Sequence, residues 1–153
     1  MLDYHTLDNI ADSYTPLLAL LCVGFLAKSA YKKYFSRVKV QGLFVIYSLL
    51  VSYGIMAWDN QFTVWPALGL DYSTHTAVAF SLVASLCLMF KPLAKWCVAS
   101  LFSSLLMYGA LMKYQNYHSY TDMLSTALVV AVFLAPLFVR IMKGQLKPFN
   151  KTI

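Results

Sequence analysis

Two short stretches of this sequence carry residues that could do chemistry. Asp71-Tyr72-Ser73-Thr74-His75-Thr76 and Tyr117-His118-Ser119-Tyr120-Thr121-Asp122 each stand just before a long apolar run. A histidine held by a carboxylate suits nucleophilic or acid–base work, because the carboxylate fixes one ring nitrogen and raises the basicity of the other. If a helix starts early enough to include both, His118 and Asp122 sit at i and i+4 on one face. If Asp122 is the helix N-cap instead, His118 lies in the preceding loop and its contacts depend on loop geometry. The spacing leaves both arrangements open. His75 falls in the first turn of the apolar run that follows it, with Ser73 as the expected N-cap. The free N–H groups and positive dipole end there suit an anion such as phosphate.

The elements that position these residues belong in a membrane. The chain has 153 residues, 60% hydrophobic and only 12% charged, where a soluble domain carries about 25% charged residues. Several apolar runs approach the ~20 residues that cross a ~30 Å hydrocarbon core, which predicts an all-α, polytopic membrane helix bundle in one domain. The net charge of +6 does not point to nucleic acid, since the basic residues flank apolar runs and form no stripe with interleaved aromatics. Cys22, Cys87 and Cys97 sit inside apolar runs without CxxC spacing, so packing is their expected role. The acidic residues Asp3, Asp8 and Asp12 replace the basic start of a cleavable signal peptide, so the first helix is expected to act as the signal itself.

Taken in order, residues 1–14 read as a polar outer tail, 15–142 as a bundle of about five transmembrane helices, and 143–153 as a basic tail. Helix one is expected over residues 15–30, with Pro16 in its first turn. A basic segment with Lys28, Lys32, Lys33, Arg37 and Lys39 follows, and helix two covers 40–58. Residues 59–72 hold no Lys or Arg but include Phe62, Trp65 and Tyr72, an aromatic mix expected to lie along the headgroups. Helix three runs over 73–90 and ends at Lys91-Pro92. Helix four reaches about residue 111, and helix five covers 122–142. Five crossings place eleven of the twelve Lys and Arg residues on one side and all six Asp and three His on the other, with Lys113 the exception. The positive-inside rule then predicts an outer N-terminus and a cytoplasmic C-terminus. In a bacterium this is an inner-membrane protein whose His-bearing end faces the periplasm.

With that placement, Ser73-Thr74-His75-Thr76 resembles the Ser-Gly-His-Thr motif of the type 2 phosphatidic-acid phosphatase superfamily, and His118-Ser-Tyr-Thr-Asp122 resembles its His-x-x-x-Asp motif. The sphingomyelin-synthase branch is the most similar, over roughly residues 70–130. The resemblance implies phosphoryl transfer through a phosphohistidine on a membrane lipid with a phosphate or phosphodiester headgroup, with neither metal nor cofactor. His118 would attack phosphorus, Asp122 would orient it, and His75 would protonate the departing oxygen. Ser73 would hold non-bridging oxygens, with Thr76, Lys113, Asp71 and Tyr117 completing the substrate-binding set. The pattern departs from the family in three places. No cation lies between Gly42 and Asp71, Met112 stands where an Arg is expected, and Thr74 replaces the motif glycine.

Three function classes follow: a lipid phosphatase or phosphotransferase, a catalytically impaired relative acting as a lipid-binding or scaffold protein, and a small proton- or ion-conducting protein. A partner made of nucleic acid is not expected, and self-association into a homo-oligomer stays open.

Overall fold

The computed structural model describes residues 4–90 and 95–146. The Lys91-Pro92 break, residues 1–3 of the acidic start and residues 147–153 of the basic tail lie outside the described residues. The chain forms α1 (Tyr4–Tyr31), α2 (Phe35–Phe62), the short α3 (Val64–Ala67), α4 (Thr74–Met89), α5 (Lys95–Tyr114) and α6 (Tyr120–Leu146). Four stretches are long and apolar enough to cross a membrane: Thr6–Tyr31, Phe35–Phe62, Lys95–Tyr114 and Tyr120–Gly144. The fifth apolar helix, α4, has 16 residues and rises about 24 Å.

That shortest helix is the centre. α4 packs against α1, α2, α5 and α6, and Ala77, Ala79, Ser81, Leu82, Val83 and the stretch from Ser85 to Leu88 are buried on every side of it. Small residues at four-residue intervals let the backbones of α2 and α4 approach closely. Ser48 and Ser52 of α2 meet Ala77, Ser81 and Ser85 of α4. Ser52 Oγ lies 2.8 Å from Ser81 Oγ and 3.2 Å from the Ala77 carbonyl, and Ser85 donates to the Ser81 carbonyl at 2.8 Å. At one end of this seam Gln41 donates to the Leu88 carbonyl (3.0 Å). At the other, Tyr72 donates to the Ser52 carbonyl (2.8 Å). In hydrocarbon an unsatisfied polar group costs several kcal/mol, so each of these hydroxyls needs a partner inside the protein.

α1 starts eleven residues earlier than expected, so the segment from Tyr4 onward is helix and not a tail, and Pro16 lies inside the helix. Tertiary contacts outweigh the hydrogen bond that proline removes. Ala11, Leu18 and Cys22 are buried in the core, and Tyr14 stacks on Tyr108 at 4.4 Å and shares a 2.9 Å hydrogen bond with Ser104. α2 and α6 also outrun their expected bounds. The aromatics at and after the end of α2 do not all face outward. Trp58 and Phe62 are exposed, but Trp65 and Tyr72 turn into the bundle and are buried. Thr63, a β-branched residue with φ of 49°, makes the reversal between α2 and α3, a conformation that costs of order 1–3 kcal/mol. Cys22 and Cys87 are buried as packing groups, whereas Cys97 is exposed, so packing does not account for it.

Interhelical serine hydrogen bonds in membranes average about 0.6 kcal/mol, while added side-chain volume in a tight seam costs about 1–3 kcal/mol. Close approach therefore dominates at Ser81. Ser81→Ala is expected to cost well under 1 kcal/mol in a detergent unfolding titration and Ser81→Leu about 1–3 kcal/mol, with Ser103→Leu, on an exposed face of α5, close to neutral.

Candidate active site

Two helix starts meet at one end of the bundle. Ser73 caps α4: its Oγ accepts from the Thr76 N–H (3.3 Å) and donates to Thr76 Oγ1 (2.8 Å). Ser119 caps α6 in a reciprocal box, in which its Oγ accepts from the Asp122 N–H (3.1 Å) while Asp122 Oδ2 accepts from the Ser119 N–H (2.8 Å). That exchange satisfies two donors left over at the start of a helix.

Asp122 does more than cap. Its Oδ1 accepts from the Asp71 N–H at 3.0 Å, and the Ser73 N–H donates to Thr126 Oγ1 at 3.1 Å. The chain before α4 is thereby pinned to the first two turns of α6. A second fixture lies behind it. Asp59, buried near the end of α2, accepts from the Trp65 N–H (2.8 Å), and the Trp65 ring N–H donates to Ser125 Oγ (3.1 Å). Trp65 also meets Tyr72 edge to face at 5.1 Å. Burial, reinforced by the nearby Asp59 carboxylate, pushes the Tyr72 phenol well above its ordinary range, so it keeps its proton and serves as a donor.

This framework decides which carboxylate reaches His118. α6 begins at Tyr120, so His118 is in the preceding loop and the i, i+4 helical pairing with Asp122 does not form. Asp122 is occupied by the Asp71 N–H, the Ser119 N–H and the Ser119 hydroxyl (2.6 Å). The carboxylate beside His118 is Asp71, with Oδ2 3.2 Å from Nδ1, off the line of a hydrogen bond. The His118 side chain is 12% exposed and that of Asp71 70%. A contact whose carboxylate is largely in solvent orients more than it stabilises.

The remaining expected residues divide. His75 is exposed in the first turn of α4, with its ring 6.4 Å from that of Tyr117. Tyr117 donates to Asp8 of α1, which ties the α5–α6 loop to a third helix. Thr76 is engaged by Ser73, and Ser73 is fully buried with its hydroxyl turned to Thr76. Ser73 is thus a cap and not an open oxyanion ligand. Lys113 is exposed in the last turn of α5, the one cation at this end among the described residues. No group of three or more His, Cys, Asp or Glu side chains that could hold a metal occurs among the described residues.

Below this end an apolar cleft runs between α5 and α6 over α4. One chamber of about 330 Å³ is bounded by Thr76, Phe80, Tyr108, Tyr120 and Met123. A second of about 650 Å³ shares Phe80 and continues past Phe102 and Phe138 to Lys95.

The sequence pattern missed Ser119, Thr126 and Asp59 as the residues that assemble these two helix starts; the spacing left the pairing of His118 with Asp122 open, and the resemblance gave the orienting role to Asp122. The Ser-x-x-Asp spacing of 119–122 is a capping-box signature and marks α6 as starting after His118. Comparison with known proteins adds no assignment: no family model, curated protein or solved structure matches the chain.

Asp122→Ala removes the acceptor of two part-buried N–H groups, those of Asp71 and Ser119, at a combined cost of about 1–3 kcal/mol. It is expected to lower stability in that range and to speed hydrogen exchange at the Asp71 and Ser119 amides, whereas Asp71→Ala leaves those amides protected.

Proposed function

We propose that this end of the bundle carries out phosphoryl transfer from a lipid phosphate ester through a phosphohistidine. The observation that carries the reading is the joining of two segments 51 residues apart, Asp71 to Asp122, by a backbone hydrogen bond, which sets His118 against Asp71 and leaves His75 exposed in the adjoining helical turn. His118 attacks phosphorus, so that an N–P bond forms as the P–O bond to the departing alcohol breaks. His75 supplies the proton that the departing oxygen needs. Water, giving its proton to His75, then attacks the phosphohistidine, breaks the N–P bond and restores His118, releasing phosphate from a phosphomonoester or the phosphorylated headgroup from a phosphodiester. A lipid alcohol in place of water makes the enzyme a transferase. Asp71 takes the orienting role that the motif resemblance gave to Asp122. Lys113 alone suits the single charge of a phosphodiester headgroup better than a doubly charged phosphomonoester, and the cleft bordered by Thr76 and Tyr120 has the apolar lining an acyl chain needs.

One observation favours a second reading, a lipid-binding or scaffold protein that has kept the architecture without turnover. Ser73, expected to hold substrate oxygens, and Asp122, expected to orient His118, are both consumed by helix capping and loop anchoring.

The test is headgroup or phosphate release from phosphatidic acid, a polyprenyl diphosphate and a phosphodiester lipid in detergent with chelator. Turnover is expected in the wild type, to be lost in His118→Ala and lowered about 10²-fold or more in His75→Ala, the usual scale for a general acid. On an aryl phosphate, whose leaving group needs no proton, His75→Ala should recover most of the initial burst of aryl alcohol, which reads the first step alone, while His118→Ala gives no burst. No turnover of any lipid by folded wild type would leave the scaffold reading.

We further read α4 as a fifth crossing beside the four long helices, with the basic end in the cytoplasm and the histidines outside, in the periplasm if the cell is bacterial. Every described Asp lies toward one end of the bundle and every described Lys and Arg but Lys113 toward the other, which supports this orientation. A fluorescent protein fused after Ile153 should mature and an alkaline phosphatase fused there should be inactive; the converse result reverses the orientation.

A further inference from the structure

The cation-rich end holds a cavity of about 660 Å³ between the end of α1, the turn to α2 and the last residues of α4. We propose that it binds the phosphate of an anionic membrane lipid, at the end of the molecule opposite His75 and His118.

Lys28, Lys32 and Arg37 line the cavity together with Ser29 and Tyr34. Lys28 and Lys32 are one helical turn apart, where like charges repel, and the sharp reversal at Lys33 (φ 59°) brings Arg37 of α2 to the same cavity. None of the three has a carboxylate within ion-pair distance among the described residues, and all described Asp side chains are at the far end. Helix dipoles do not neutralise them. The half-charge at the C-terminus of α1 is offset by the opposite half-charge at the start of α2, where Tyr34 provides no side-chain cap. Three full positive charges therefore surround one concavity, and Arg37 also lies over the Tyr34 ring at 5.6 Å, which holds the guanidinium at the rim.

The floor selects a lipid over a free anion. Phe25, Met89 and Phe90 complete the wall, with Phe25 and Phe90 in edge contact at 5.0 Å. This apolar surface sits where α1 ends its apolar run, and basic pockets between helices at such an end suit phosphate headgroups. Generic attraction of a basic surface makes a different prediction, because Arg140 and Lys143 lie at the same end, outside the cavity, and would contribute equally.

The test is native mass spectrometry and thermal stability of detergent-purified protein titrated with phosphatidylglycerol, and separately with phosphatidylcholine, glycerol 3-phosphate and inorganic phosphate. One phosphatidylglycerol per chain is expected to bind saturably and raise the melting temperature. Lys32→Gln with Arg37→Gln should weaken it about thirtyfold, and Lys28→Gln alone about fivefold, while Arg140→Gln with Lys143→Gln leaves affinity unchanged. Since wild-type binding is read without any variant, a misfolded variant does not block the test. Equal weakening by both double variants, equal affinity for phosphatidylcholine, or no saturable lipid overturns the proposal. Competition by glycerol 3-phosphate or inorganic phosphate at the lipid's own concentration overturns the lipid assignment in favour of a soluble anion.

Discussion

Everything in this bundle is built around one short helix that packs against all four long ones. Because α4 packs against α1, α2, α5 and α6, its buried hydroxyls at Ser81 and Ser85 have no route to water or headgroups except through their neighbours. The serine seam with α2 and the cap at Ser73 answer that constraint at different heights along the helix. The Ser73 N–H is satisfied by Thr126 of α6, so capping α4 and docking α6 are one event. A site assembled from the segments that flank these helix starts inherits its geometry from core packing.

The same economy explains why Asp122 is not the histidine's partner. A buried carboxylate is stabilised by as many donors as can be brought to it, and here the donors come from the Asp71 and Ser119 backbones and the Ser119 hydroxyl. In holding the Asp71 N–H, Asp122 leaves the Asp71 side chain free to turn toward His118. The two acidic residues divide the work, the buried one fixing the loop and the exposed one facing the imidazole.

Much of the helical framework is readable in the sequence, and the misses have physical causes. Length and apolarity locate α4 and α5 to within a turn or so, with Ser73 a plain start signal for α4. They fail for α1, because polar residues 4–14 look like a tail unless it is known that Ala11 has a buried seat and that Tyr14 stacks on a residue 94 positions away. The connector after α2 shows a limit of composition. Three aromatics suggest an interfacial belt, yet Trp65 and Tyr72 are drawn inward by Ser125 and the Ser52 carbonyl, partners no local pattern announces. At the site, the resemblance names His75, His118 and Asp122, while which carboxylate meets which ring depends on where α6 begins, a one-turn question settled by Ser119.

The length of α4 has one more consequence. Helices that touch lipid adjust to bilayer thickness by tilting, kinking or deforming the membrane around them. α4 touches little of it, so its 16 residues are decoupled from the lipid, while the 28-residue helices α1 and α2 bear any mismatch. A thinner or thicker membrane would therefore reach the His75 and His118 end only as a change in the lean of the outer helices about a fixed axis. The α5–α6 loop, moored to α1 through Tyr117 and Asp8, is the place where that lean would be felt.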